Sequence, residues 1–350
     1  MAAILNQASL NQANINRRDL LVGGAVALVG LPCTAAANDV VGVGMISRTL
    51  FNLPLWCAMH AGFMNAEGLE IQLKNPDTSA EVNKMLRTGE VQIVLRSPEA
   101  TMMDAFRGGS LRVIGGGISK LPHFIIANPR IKTLADLRGA NFGILAEKEG
   151  TTHIVQDITQ SIGLTPADYK MTVVGGSPAR WRLLREGKID VGLPPIPNSY
   201  EAEAAGFTNL GSVIPFVPDW QFTAVNVDQK WAQPNRNTVV RFLRALQKGR
   251  EYFKTNPQET ARIAAEELRS NVTLTARMLV DIEKYGMFDP ETAINVAGLR
   301  RVHETLQKIG DIPANQAFDL NAFTDLSYYQ QSRDPVVTGS VPATGSIPVR

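Results

Sequence analysis

Four histidines, two cysteines and a set of polar residues at strand ends are the groups with which this 350-residue chain could do chemistry. His60, His123, His153 and His303 are scattered, and none forms the H-E-x-x-H pair that sets two imidazoles on one helix face around zinc. No G-x-S-x-G nucleophile elbow appears, and no G-x-G-x-x-G or Walker lysine loop follows a strand. Gly42-x-Gly44 lies inside an apolar run, and Gly115-Gly116-Gly117 has no helix signal after it. Cys57 with a distant histidine is the one nucleophile–base candidate, and it sits in an apolar helical stretch where a thiol packs as a small hydrophobe. The expectation is a chain that is not an enzyme, with no catalytic residue, no metal ligand and no cofactor.

The remaining polar groups cluster where open α/β sheets place their ligands, at the carboxyl ends of strands. After Val40–Met45 come Ser47, Arg48, Thr49 and Asn52; after Val91–Leu95 come Arg96 and Ser97. After Asn141–Leu145, Glu147-Lys148-Glu149 leads to Gly150, Thr151 and Thr152, and after Met171–Val174 come Ser177 and Arg180. Three of these turns open helices. Their free N–H groups and positive dipole ends suit an anion. Gly150-Thr151-Thr152 is the sharpest signal, because glycine allows close backbone approach and two hydroxyls follow at a helix start. Arg48 or Arg96 would complete the charge. Trp220, just before the strand Phe222–Val227, is expected to wall the cleft, with Phe51 nearby. The expected ligand is a small organic anion, a sulfonate or carboxylate.

Those residues need a scaffold. Strands are expected at 40–45, 69–73, 91–95, 111–114, 124–127, 141–145, 171–174, 189–193 and 222–227, separated by helical stretches of about 10–15 residues, the signature of βα units. Ser97-Pro98, Ser177-Pro178, Thr133-x-x-Asp136, Thr165-x-x-Asp168, Asn256-Pro257 and Asp289-Pro290 read as helix starts. From about residue 235 to 331 the pattern is helical, with Val239, Val240, Phe242, Leu243, Leu246 and Phe253 on one face. Leu86-Arg87-Thr88-Gly89-Glu90-Val91 and Leu184-Arg185-Glu186-Gly187-Lys188-Ile189 repeat the pattern L-R-x-G-charge-strand, 98 residues apart, which favours two lobes of related topology.

Composition excludes several classes. The chain is 44% apolar and 19% charged, with a net charge of +2, so it has no basic field for nucleic acid. No run of 18 apolar residues provides a membrane span. Residues 1–37 read as a cleaved signal peptide: Arg17-Arg18 precede the apolar run Leu20–Leu31, and Ala35-Ala36-Ala37 fits a cleavage site. The paired arginines resemble a twin-arginine signal, with Sec export as the alternative. Pro32 before Cys33 is a poor lipobox, so no lipid anchor is expected, and cleavage leaves Cys57 as the sole cysteine. Residues 334–350 lack periodicity and read as a disordered tail.

Several stretches resemble one family of solute-binding proteins, those serving ABC importers of taurine, alkanesulfonates, nitrate and thiamine-pyrimidine precursors. They are Leu53-Pro54-Leu55-Trp56, Ala61-Gly62-Phe63 through Glu67-Gly68-Leu69, Asp136-Leu137-Arg138-Gly139 running into 141–145, Gly150-Thr151-Thr152-His153, and Gly187-Lys188-Ile189-Asp190. The resemblance implies an α/β, two-lobed periplasmic-binding-protein fold of the second type, with two crossovers and a helical C-terminal third. Residues 38–125 plus 228–333 would form lobe 1 and 126–227 lobe 2, with ligand between them. The chain departs from the family at Gln92, where aspartate is usual, and at Asn75-Pro76, both of which the resemblance places near the ligand. It further implies a monomeric, periplasmic receptor that hands a small molecule unchanged to an ABC importer permease. A neutral pyrimidine-type thiamine precursor as ligand, or a role as the sensing subunit of a signalling receptor, are the alternatives.

Overall fold

The computed structural model describes residues 38–45, 48–76, 79–144, 150–174 and 177–334. The signal reading of 1–37, the tail beyond Asp334, Ser47 and the Glu147-Lys148-Glu149 stretch lie outside these residues.

Among the described residues, ten strands form two five-stranded sheets. The first contains β1 (Asp39–Met45), β2 (Leu69–Lys74), β3 (Ile93–Arg96), β4 (Leu111–Gly116) and the late strand β10 (Ala224–Asp228), in the order β2-β1-β3-β10-β4. The second contains β5 (Phe124–Ala127), β6 (Asn141–Ile144), β7 (Lys170–Val173), β8 (Val191–Gly192) and β9 (Thr208–Ser212), in the order β7-β6-β8-β5-β9. In each sheet the first three strands are parallel and the fourth runs against its neighbours. The chain passes to the second sheet between Gly116 and Phe124 and returns between Ser212 and Ala224, so there are two crossovers.

The sequence repeat explains this correspondence. Gly89 and Gly187 both have positive φ, 75° and 68°, which ends a helix and turns the chain into β3 and β8. Those two strands take the same central position. Gln92 and Asp190 precede them and hold the neighbouring strand in the same way. Gln92 Oε1 accepts from Gly42 N–H at 2.6 Å, and Asp190 Oδ2 accepts from Asn141 N–H at 2.9 Å. Gln92 therefore sits at the amino end of β3, away from the carboxyl end where Arg96 lies. Its departure from the family pattern is accommodated by a backbone contact.

The apolar face expected in the C-terminal third is buried along the helix Arg236–Thr255. Gly249 lets this helix lie directly on the helix Leu53–His60, since a Cβ there would come 2.1 Å from the Pro54 carbonyl oxygen. The C-terminal helices also reach the helices that connect strands of the second sheet, Gly150–Ser161 and Asn198–Ala204. Arg301 of the helix Val296–Ile309 pairs with Asp157, and Tyr200 Oη donates to Asp281 Oδ2 at 2.6 Å.

Local signals misled in three places. Thr165-x-x-Asp168 makes its capping bonds, with the Asp168 carboxylate accepting from Thr165 N–H and Oγ1–H, but closes a turn into β7 rather than a helix. Asp289-Pro290 is also a turn, and the next helix starts at Val296 under an Asn295 cap. β9 carries no strand signal in the sequence, because Thr-Asn-Leu-Gly-Ser is a half-buried edge strand without apolar alternation.

Candidate functional site

β1 ends at Met45, and the chain then runs through Thr49 into a single 3-10 turn, Leu50–Asn52, before the helix Leu53–His60 takes over with Pro54 in its first turn. β3 ends at Arg96, and Ser97-Pro98 leads to the helix Glu99–Phe106. Pro98 rather than Ser97 is the residue flanking that helix, and the Ser97 hydroxyl hydrogen-bonds the Glu99 carboxyl in its first turn. The returning crossover brings Phe222 and Thr223 alongside. Thr49, Phe51, Asn52, Leu95, Arg96, Ser97, Glu99, Phe222 and Thr223 together enclose a cavity of about 310 Å³. That volume is near the lower end for small-molecule sites, roughly 300–1,000 Å³.

The walls have distinct chemistry. Phe51 and Phe222 meet edge to face with ring centroids 5.0 Å apart. Behind them, Leu95, Gly116, Gly117, Leu246 and Phe288 line an adjoining apolar recess. The glycine run has a steric reason here: a Cβ on Gly117 would lie 2.5 Å from Thr223 Oγ1, and one on Gly116 would lie 2.0 Å from the Ala293 carbonyl oxygen.

Arg96 is 3% exposed and held from behind. Its Nη1 donates to the Ser97 carbonyl at 2.9 Å and its Nη2 to Thr101 Oγ1 at 3.0 Å. Thr101 donates in turn to Asn226 Oδ1 at 2.7 Å. Asn226, fully buried in β10, spends its amide on the Ala224 carbonyl at 2.8 Å and the Arg96 carbonyl at 3.2 Å. Arg96 Nε is shielded and has no partner. Burial pushes the guanidinium down to about 10, with Glu99 opposing the shift, so it stays charged at neutral pH. Burial raises the Glu99 carboxyl above its ordinary range, against hydrogen bonding from Ser97 and the Arg96 charge.

A second group adjoins the Phe222 side. His123 packs edge-on to Phe222 at 5.5 Å, and burial together with the Arg180 charge pushes its imidazole down to about 3. Arg180 borders a narrow recess with Trp181, Leu193 and Asn198.

Of the residues expected to meet ligand, the structure brings Thr49, Asn52, Arg96 and Ser97 into one cavity. Gly150 opens the helix Gly150–Ser161, with Thr152 buried in its first turn, and Ser177 opens the helix Ser177–Arg185. The side chains of Thr151 and Ser177 lie outside the described residues. Arg48 is elsewhere: it is half-exposed and pairs with Glu267 at 3.0 Å, a carboxylate it shares with His60. Trp220 is 4% exposed in the core beside Leu299, Val302 and Leu306, where Gly298 packs against its backbone, so it does not line the cavity. Sequence reasoning missed Glu99, because its Ser-Pro context read as a helix start. It also missed Thr101 and Asn226, although a lone asparagine in the apolar run Ala224–Val227 is a visible sign of a buried polar role.

Cys57 is buried in the helix Leu53–His60, 3.9 Å from Thr260 Oγ1, and desolvation pushes its thiol up to about 12. It does not line the cavity. His303 is wedged between Phe106 and Phe318. Among the described residues no group of three or more His, Cys, Asp or Glu could hold a metal ion. No helix among them is long and apolar enough to cross a membrane.

The family model described as NMT1/THI5 like matches residues 52–260, more than half of the chain. The chain belongs to the NMT1/THI5-like family. Within that family, 4-amino-5-hydroxymethyl-2-methylpyrimidine phosphate synthase THI13 of Saccharomyces cerevisiae is 24% identical over 160 residues, covering 41% of this chain and 42% of the relative. The chain thus spans less than half the length of the curated relatives it matches. In fold, this NMT1/THI5-like chain is similar to the periplasmic aliphatic sulphonate binding protein SsuA of Escherichia coli, with TM-score 0.65 and 14% identity over 89% of this chain and 97% of that one. It is also similar to the desulfurization enzyme DSZB, with TM-score 0.62 and 13% identity over 84% and 99% of the two chains. The architecture is that of periplasmic binding proteins, as the resemblance implied.

Proposed function

We propose that this protein is the extracytoplasmic substrate-binding component of an ABC-type uptake transporter, and that it holds a small organic anion, a sulfonate or carboxylate, without changing it. The observation that carries the reading is Arg96: a buried, charged guanidinium at the carboxyl end of a central strand, with one shielded N–H unpartnered, in a cavity of small-molecule size. Phe51 and Phe222 would take the apolar body of such a ligand. The helix start at Gly150 would supply further amides from the second sheet.

The domain reading fits the two sheets: 38–125 plus 228–333 as one lobe, 126–227 as the other, with the ligand between them. Export rests on Arg17-Arg18 and the apolar run after them and would take the protein to the periplasm; the reading further has it act there as a monomer serving an inner-membrane permease. Structural neighbours that are sulfonate-binding proteins support the receptor role.

The match to pyrimidine phosphate synthases favours one second reading, a pyrimidine-type ligand. The buried Cys57 thiol, outside the cavity, speaks against a cysteine-based reaction there.

A thermal-shift screen over short alkanesulfonates, aliphatic carboxylates and aminopyrimidines tests this reading, since a ligand bound only by the native state raises the melting temperature. Nuclear magnetic resonance of the recovered ligand tests the absence of chemistry. Stabilisation by acids, recovered intact, is the expected result; stabilisation by pyrimidines alone, or turnover, would overturn it.

A further inference from the structure

A second concavity lies between the helices Pro257–Leu268 and Val272–Lys284, and it shares no lining residue with the Arg96 cavity. This groove encloses about 540 Å³ over an apolar floor that includes Phe253 and Leu279. Val272 and Val280 flank it and are 47% and 67% exposed. From Val272 to Glu283 it follows its helix for about 16 Å, at 1.5 Å per residue. Open, contiguous apolar surface of this kind marks a place where another segment packs.

The chain itself supplies a segment within reach. The helix Ser327–Arg333 lies against the helix Arg236–Thr255, where Gln247 Nε2 donates to Ser332 Oγ at 2.9 Å, and Asp334 borders a recess with Arg244 and Lys248. Asp334 is extended, at φ −64° and ψ 137°, as suits a residue before a proline. Lys254, at the near end of the groove, is less than two turns beyond Lys248 on the same helix, about 9 Å. Residues 335–350 reach roughly 50 Å when fully extended. They have no helical period, but they alternate. The odd-numbered residues 337–349 are Val, Gly, Val, Ala, Gly, Ile and Val, and the even-numbered residues 338–348 are Thr, Ser, Pro, Thr, Ser and Pro. An extended chain puts the first set on one face and the second on the other. The pattern is built on a repeat, Thr338-Gly339-Ser340-Val341-Pro342 and Thr344-Gly345-Ser346-Ile347-Pro348. Its two prolines disfavour a helix and lack an N–H that would need a partner.

We propose that residues 335–350 are an intramolecular strap, lying extended in this groove with Val341 and Ile347 as its two anchors and its Thr, Ser and Pro face toward water. The anchors stand about 20 Å apart in an extended chain, close to the length of the groove. Residues 335–340 cover the short path from Asp334 to Lys254. Attachment at Asp334 gives the strap an effective concentration on the order of millimolar, so a modest intrinsic affinity holds it in place. A second copy of the chain would have to cover the same groove without that advantage. The strap is independent of what binds at Arg96.

Methyl nuclear magnetic resonance of the full chain tests this. Wild type should show nuclear Overhauser contacts from the methyl groups of Val341 or Ile347 to those of Leu279 or Val280. Replacing Val341→Ser and Ile347→Ser together should move the Val272, Leu279 and Val280 signals by more than a linewidth, while signals from the sheet residues Val43 and Val225 stay in place and report an intact fold. The wild-type contacts need no variant, so a poorly behaved double variant does not remove the test. Groove signals that are the same in wild type and double variant, with no contact to Val341 or Ile347, would overturn the strap. So would groove signals that move only as the protein is concentrated, which would give the groove to a second copy.

Discussion

Gln92 and Asp190, 98 residues apart, make the same contact: each side-chain oxygen accepts the N–H of the residue opposite in the first parallel strand of its sheet, Gly42 or Asn141. Each backbone N–H also donates back to that residue's carbonyl, at 2.8 Å in both cases. Gln92 Nε2 adds a bond to the Gly89 carbonyl at 2.8 Å, and Asp190 adds an ion pair with Arg130 at 2.5 Å. These residues register strands, and Gln92 lies four residues before Arg96, roughly 13 Å along the strand from the cavity.

Gln92→Ala should therefore lower stability and leave ligand binding alone. One part-buried backbone N–H loses its acceptor, which costs about 1–2 kcal/mol. Urea denaturation should show a lower midpoint, and calorimetry an unchanged affinity. A large loss of affinity at unchanged stability would place Gln92 in the binding site.

The link from Arg96 through Thr101 to Asn226 ties the cavity to β10, the strand that returns from the second sheet. Thr101 is fully buried and does not line the cavity, so it can affect binding only through Arg96. Thr101→Val should weaken binding of an acid by about two- to tenfold, the range for one neutral hydrogen bond. Thr101→Ser keeps the hydroxyl and should restore most of it. Equal binding by Val and Ser variants would mean that Arg96 is held by the Ser97 carbonyl alone.

His123 gives a pH dependence with a definite sign. Its imidazole has an ordinary value of 6.5 and is pushed down to about 3 in the folded protein, chiefly by burial. Above the unfolded value both states are neutral and the group has no effect. As pH falls below 6.5 the unfolded chain takes up a proton that the folded one refuses, so stability declines, by up to about 1.4 kcal/mol per pH unit, until the folded value is reached. His123→Phe keeps the ring contact with Phe222 and removes the titration. Its urea midpoint should fall less between pH 7 and pH 5 than that of the wild type; identical slopes would show that His123 is not the group responsible.

Much of this architecture is legible in the sequence because it rests on backbone patterning. Buried parallel strands such as Asp39–Met45 leave continuous apolar runs, and the Gly89 and Gly187 repeats mark where helices stop. The site is less legible, because facing across a fold is not encoded in neighbours along the chain. Arg48 and Arg96 look alike as strand-end arginines, yet one turns outward to Glu267 and the other inward to Thr101. Trp220 stands two residues before the cavity residue Phe222 but packs with the helix Val296–Ile309, which arrives about 80 residues later. Capping chemistry has the same limit: Thr165-x-x-Asp168 makes its bonds whether a helix or a turn follows.

The two arginines provide the most direct measurement of the central claim, that the cavity at the end of β3 binds a small acid through Arg96. Calorimetry should be run with the tightest-binding sulfonate or carboxylate from the thermal-shift panel on wild type, Arg96→Ala and Arg48→Ala, each at a temperature where it is folded. Loss of a charge-assisted hydrogen bond of about 1.5–3 kcal/mol should weaken Arg96→Ala by roughly ten- to a hundredfold. Arg48→Ala, which breaks only a partly exposed pair worth at most about 1 kcal/mol to stability, should bind within about twofold of wild type. Wild-type affinity in Arg96→Ala, or a larger loss in Arg48→Ala, would contradict the account.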